Sequence, residues 1–115
     1  MAKHLLFSLT ALVFLAGCSG LNYVMENYGD VESQAHYYNG QKFSIFDRPD
    51  VGRLMVTPSA GQAFLEGLTF GLAATPEMTM QNAAQSYLDK TGRKCTVGDP
   101  KLIIDPQYEV FYSCS

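Results

Sequence analysis

Clustered lysine and arginine are missing from this chain. Its 115 residues carry 8 basic and 11 acidic side chains, a net charge of −3. No stretch has the concentrated basic footprint of a nucleic-acid-binding surface, so no nucleic-acid partner is expected. Histidine is scarce as well: His4 and His36 are the two. A Ser-His-Asp or Cys-His arrangement in the body of the chain would have to use His36. There is no C-x-x-C pair for thiol redox chemistry, and Asp47, Asp50 and Asp99 are not spaced as a calcium loop. Nothing after Leu15 reaches the roughly 18 apolar residues needed to span a bilayer. These absences exclude the usual catalytic and metal-binding constellations, and the expectation is a protein that is not an enzyme.

What is present begins at the first residue. Lys3 gives a short basic start, Leu5–Leu15 is an apolar run of eleven, and Ala16, Gly17 and Cys18 follow. A basic region, an apolar stretch of 7–15 residues and small residues before a cut make a secretory signal. Eleven helical residues cover only about half of a bilayer core, which is too short for a membrane anchor. Leu15-Ala16-Gly17-Cys18 matches the pattern L-[AS]-[GA]-C at all four positions, and this stretch resembles the lipobox of bacterial lipoprotein precursors. The resemblance covers the first eighteen residues. It implies that the Cys18 thiol receives a diacylglycerol, that the chain is cut before Cys18, and that the new amine is acylated. No other cofactor is expected. Two or three acyl chains anchor a protein stably, whereas one binds only marginally. Ser19 stands where Asp would retain such a protein at the inner membrane, which implies the periplasmic face of the outer membrane in a Gram-negative host.

The expected organisation is a signal peptide over 1–17, a lipidated tether over 18–39 and a small periplasmic domain over 40–115. Glu26, Asp30 and Glu32 lie in the tether with no basic partner, so the acidity is concentrated there. Tyr23, Tyr28, Tyr37 and Tyr38 are many aromatics for a linker, and suit a segment that rests on the domain or at a membrane interface. His36 reads as a solvated side chain of this tether. With Cys18 given to lipid, Cys95 and Cys114 form an even pair, expected as a disulfide in an exported protein.

Lys42–Asp47 alternates Phe43 and Ile45 with Ser44 and reads as a strand. Arg48-Pro49-Asp50 turns the chain, and Arg53–Thr57 returns as a second strand in an antiparallel hairpin. Thr75-Pro76-Glu77 is a helix start. Met80, Ala83, Ala84, Tyr87 and Leu88 then make one apolar stripe, and Gly92 stops the helix. Arg93–Val97 and Lys101–Asp105 are strand segments interrupted by Gly98-Asp99-Pro100. Gln107–Cys114 is the clearest strand, with Tyr108, Val110, Tyr112 and Cys114 on one face. Pairing around Asp105-Pro106 brings Cys114 near Cys95, with the Gly-Asp-Pro interruption acting as a bulge. The expected fold is α+β: about four antiparallel strands in the order β-β-α-β-β, one helix across a face, and one disulfide.

One segment stands apart. Residues 59–74 carry a single charge, Glu66, and three glycines, Gly61, Gly67 and Gly71. Phe64, Leu65, Leu68 and Phe70 read either as core or as a candidate contact surface. The leading functional expectation is a non-catalytic, membrane-anchored module that binds another envelope protein. The alternative is a carrier of a small ligand or lipid using segment 59–74.

Overall fold

The computed structural model describes residues 19–59 and 75–115. The chain divides into two compact units, Met1–Asp30 and Val31–Ser115. In the first, residues 19–28 are helical (α1), and the Gly29 N–H closes the last turn on the Met25 carbonyl at 3.0 Å.

The second unit is a curled antiparallel sheet of six strands, half-barrel-like, with one helix. The strands are β1 (Gln34–Tyr38), β2 (Gln41–Arg48), β3 (Arg53–Pro58), β4 (Cys95–Val97), β5 (Lys101–Ile104) and β6 (Gln107–Cys114), and the helix α2 is Pro76–Lys90. The sheet runs β1-β2-β3-β6-β4, and β5 also pairs with β6. This corrects the expected α+β domain of four strands and one helix: the described residues hold six strands and two helices, and sheet dominates. Two of the additions arise from one misjudged stretch. Residues 19–39, read as tether, contain both α1 and β1. The Gly98-Asp99-Pro100 interruption also divides what was counted as one strand into β4 and β5.

Each element has a local cause. Asn39 and Gly40 take φ of 52° and 76°, which is the two-residue hairpin turn whose twist matches its strands; it sets Tyr38 opposite Gln41. The β2–β3 hairpin forms as the alternation implies, with Ile45 opposite Val56 and Asp47 opposite Leu54. Thr75 caps α2, its hydroxyl accepting from the Met78 N–H, and Pro76 occupies the first turn. Gly92, at φ 84°, supplies the left-handed residue just past the helix end.

The alternation of β2, β3 and β6 fills the concave face. Phe43, Ile45, Leu54, Val56 and Val110 are wholly buried, and α2 lays Met80, Ala83, Ala84 and Leu88 against them. Each fully buried Leu, Ile or Phe contributes about 1.5–3 kcal/mol. The two alanines leave little bulk between helix and sheet.

The strands β4 and β5 lie beside β6 in two registers. Val97 faces Tyr112 while Lys101 faces Glu109, so Gly98, Asp99 and Pro100 oppose Val110 and Phe111. The one extra residue is a bulge. It leaves Cys95 directly opposite Cys114, and the two are bonded, with Cα atoms 3.9 Å apart and a sequence separation of 19. Replacing both cysteines by serine is expected to lower stability by about 3 kcal/mol, the chain-entropy value for a loop of this size. Urea unfolding of the double variant against the parent checks it.

Candidate functional site

The alternation that buries Phe43 and Ile45 does not stop there. Asp47 is next on the same face, at the end of the concave side, where α2 has just ended. Its carboxylate gathers three side chains, from β6, from α2 and from the loop after α2. The Tyr112 hydroxyl of β6 donates to Oδ1 at 2.6 Å. Arg93, in the loop after α2, donates to Oδ2 at 2.5 Å, and the Tyr87 hydroxyl of α2 donates to Oδ2 at 3.2 Å. Arg93 also donates to the Tyr112 hydroxyl at 3.2 Å and to Thr91 Oγ1 at 3.0 Å, and its guanidinium stands 5.7 Å from the centre of the Tyr112 ring.

Burial and the bond to Asp47 together push the Tyr112 phenol up to about 12. The Tyr87 phenol is raised for the same reasons, burial first and then the Asp47 charge. Burial works against the charge on Arg93, but the bonds to Asp47 and Tyr112 outweigh it and raise its pKa. Both hydroxyls therefore stay protonated as donors and the guanidinium stays charged. Such a network holds geometry. It ties the exit of the helix to β2 and β6.

A second cluster, which shares Tyr87 with the first, joins β1 to the helix. His36, on β1, is only 4% exposed. Its Nε2 shares a hydrogen bond of 3.0 Å with Ser86 Oγ on α2, and its ring meets Tyr87 edge-on with centroids 5.8 Å apart. Burial, and then the Lys90 charge, lower its pKa. A cavity of about 270 Å³ adjoins it, lined by Gln34, Ala35, His36, Tyr87, Lys90 and Thr91. Ser86 lies inside α2, where backbone N–H groups are spent on the helix. The contact is a joint between β1 and α2.

On the other face, Arg53 Nε lies 3.8 Å from Glu109 Oε2, and Glu109 is buried. Arg48 and Asp50 pair across the turn at 2.8 Å. Among the described residues no group of three or more His, Cys, Asp or Glu side chains is placed to hold a metal, and no helix is long and apolar enough to cross a membrane.

Of the residues singled out in the sequence, Cys95 and Cys114 are brought together. Cys18, Phe64, Leu65, Leu68 and Phe70 lie outside the described residues. His36 is a buried strand residue and no solvated tether side chain. Asp47, the last residue of the first expected strand, is the centre of the network. Two signals pointed to these positions: the parity of Asp47 with Phe43 and Ile45, and the Asn39-Gly40 dipeptide, a strong hairpin mark that requires a strand before it. Comparison of the chain with protein-family models, with curated proteins and with solved structures finds no match.

Two outcomes are expected. Asp47→Asn should cost about 1–3 kcal/mol, because three donors lose their charged acceptor, and Tyr87→Phe less, at the longer and more exposed bond; chemical denaturation reads both. His36 should make stability fall with acid. Its folded pKa is below the unfolded 6.5, so as pH drops through 6.5 the unfolded chain binds the proton first. The loss levels off only below the folded pKa. His36→Gln should flatten the stability profile over that range.

Proposed function

We propose that this protein is a lipid-anchored, non-catalytic module of the bacterial cell envelope that binds another envelope protein. The observation that carries this reading is the run Leu5–Leu15 ending in Leu15-Ala16-Gly17-Cys18, with small residues at the cut and a thiol, the best nucleophile of the chain, at the site of alkylation. Cys18 takes the diacylglycerol and the N-linked acyl group, and Ser19 directs the protein to the periplasmic face of an outer membrane. The Cys95–Cys114 bond supports the reading, since disulfides persist in oxidising compartments. The geometry favours binding over turnover. The polar clusters of the described sheet hold helix to strand, and β1 presents an exposed edge.

The anchor is tested by Cys18→Ser in cells fed radiolabelled palmitate. The label should disappear, and the protein should accumulate uncut or leave the membrane fraction. Labelling that persists in the variant refutes the lipid assignment. Crosslinking in intact cells, followed by identification of what is captured, tests the binding role: a recurrent envelope protein supports it, and capture of lipid alone refutes it.

A further inference from the structure

The two edges of the sheet are treated differently. At one edge, the helix caps the strand. Gln85 donates through Nε2 to the Cys95 carbonyl at 2.9 Å and accepts from the Val97 N–H at 3.3 Å. Gln81 donates to the Gly98 carbonyl at 3.1 Å. Further along that edge come Pro100, Lys101 and a register shift between Leu102 and Ile104. Proline, lysine and bulges are the devices that keep an edge from pairing with another chain.

The edge at β1 has none of them. Its sequence is Gln-Ala-His-Tyr-Tyr, without charge, proline or bulge, and its five pairs with β2 are in unbroken register. The turn at Asn39-Gly40 makes Tyr38 and Gln41 the closing hydrogen-bonded pair. Pairs then alternate, so His36 and Gln34 bond to β2 while Ala35 and Tyr37 turn their N–H and C=O outward. The next strand gives the same phase: the Lys42 carbonyl, opposite Tyr37, accepts from the Ser59 N–H and so faces away from β1. Among the described residues, nothing bonds to the outward backbone groups of Ala35 and Tyr37. Both residues are exposed, Tyr37 by 66%.

We propose that the outer edge of β1 is a homodimer interface, on which a second copy of this chain adds its own β1 antiparallel about a twofold axis at His36. The pattern is self-complementary. The twofold sets Ala35 of one copy opposite Tyr37 of the other, and each such pair exchanges both N–H···O=C bonds. All the outward groups of both strands are then used, and none is left over. On the convex side a small side chain meets a large one, and no like charges meet because β1 has none. Backbone pairing over so short a strand is a small interface. Copies held in one membrane plane gain from a raised effective concentration. That gain rests on the lipid anchor, whereas the pairing does not.

The full chain, purified in detergent micelles, is tested by native mass spectrometry and sedimentation over a concentration series. Wild type should pass from one to two chains per particle. Ala35→Pro removes only an outward N–H, leaves the β1–β2 bonds in place and should stay at one chain per particle. A second arm does not depend on proline. Populations carrying Ala35→Cys and Tyr37→Cys are mixed and oxidised, and the mixture should form disulfide-linked dimers faster than either alone. The proposal is overturned if wild type stays at one chain at every concentration, or if Ala35→Pro dimerises as wild type does. It is also overturned if the mixed populations show no preferential bond, or if a different protein occupies the edge at one copy of each.

Discussion

The ladder of β6 is the constraint on which the rest of the second unit depends. Gln107–Cys114 carries β3 along one side and both β4 and β5 along the other. A strand of eight residues can hold two short neighbours on one side only if they follow each other without claiming the same partners. The bulge at Gly98-Asp99-Pro100 meets that condition. It shifts the register by one residue, so β5 serves the first half of β6 and β4 the second. The disulfide sits at the far end of this arrangement and fixes the register where β4, with three residues, has fewest bonds of its own. Slippage by one residue would move Tyr108, Val110 and Tyr112 from the concave face to the convex one, and the covalent bond at Cys95 and Cys114 forbids it.

The helix is joined to this sheet by two different kinds of contact. Apolar packing of Met80, Ala83, Ala84 and Leu88 supplies most of the burial but is non-directional. Direction comes from polar groups on either side of that stripe. Gln85 and Gln81 bind the backbone of β4 and the residue after it, His36 meets Ser86, and Asp47 gathers Tyr87, Arg93 and Tyr112. A buried carboxylate that lost its donors would be costly, so the Asp47 network also selects the position of the loop after the helix. In this way a small domain fixes the place of its helix with a handful of bonds.

Much of this was legible in residues taken alone. The β2–β3 hairpin, the helix with its Thr75 cap and Gly92 stop, the phase of β6 and the pairing of Cys95 with Cys114 all follow from local pattern. What was not legible has physical reasons. Strand β1 has one buried position, His36, among exposed neighbours, so its alternation carries no apolar signal. A histidine is an unlikely mark of a core face, and it serves as one here because Ser86 and Tyr87 satisfy it from a helix fifty residues away. Asp47 was hidden by its chemistry: an acid beside Arg48-Pro49-Asp50 suggests a turn, and its donors come from residues 87, 93 and 112, which no local window includes. The candidate contact residues of segment 59–74 and the proposed lipidation site at Cys18 are carried by sequence pattern alone.

Long-range satisfaction also explains why the two edges differ. An edge strand leaves every second residue with its backbone groups turned outward, and a domain must bond them internally, obstruct them, or leave them for a partner. At β4 one glutamine does the first of these, since its amide offers a donor and an acceptor at the spacing of one strand residue's neighbours. Gln85 is able to do so because α2 runs close to that edge, and it runs close because Ala83 and Ala84 leave so little bulk beneath it. At β1 the same helix presents Ser86 and Tyr87 to a side chain, His36, and no amide to the backbone. Among the described residues, β1 is thus left as an open edge by which helix positions carry amides. The exposed backbone of Ala35 and Tyr37 lies at the one border of the sheet that its own helix does not cap.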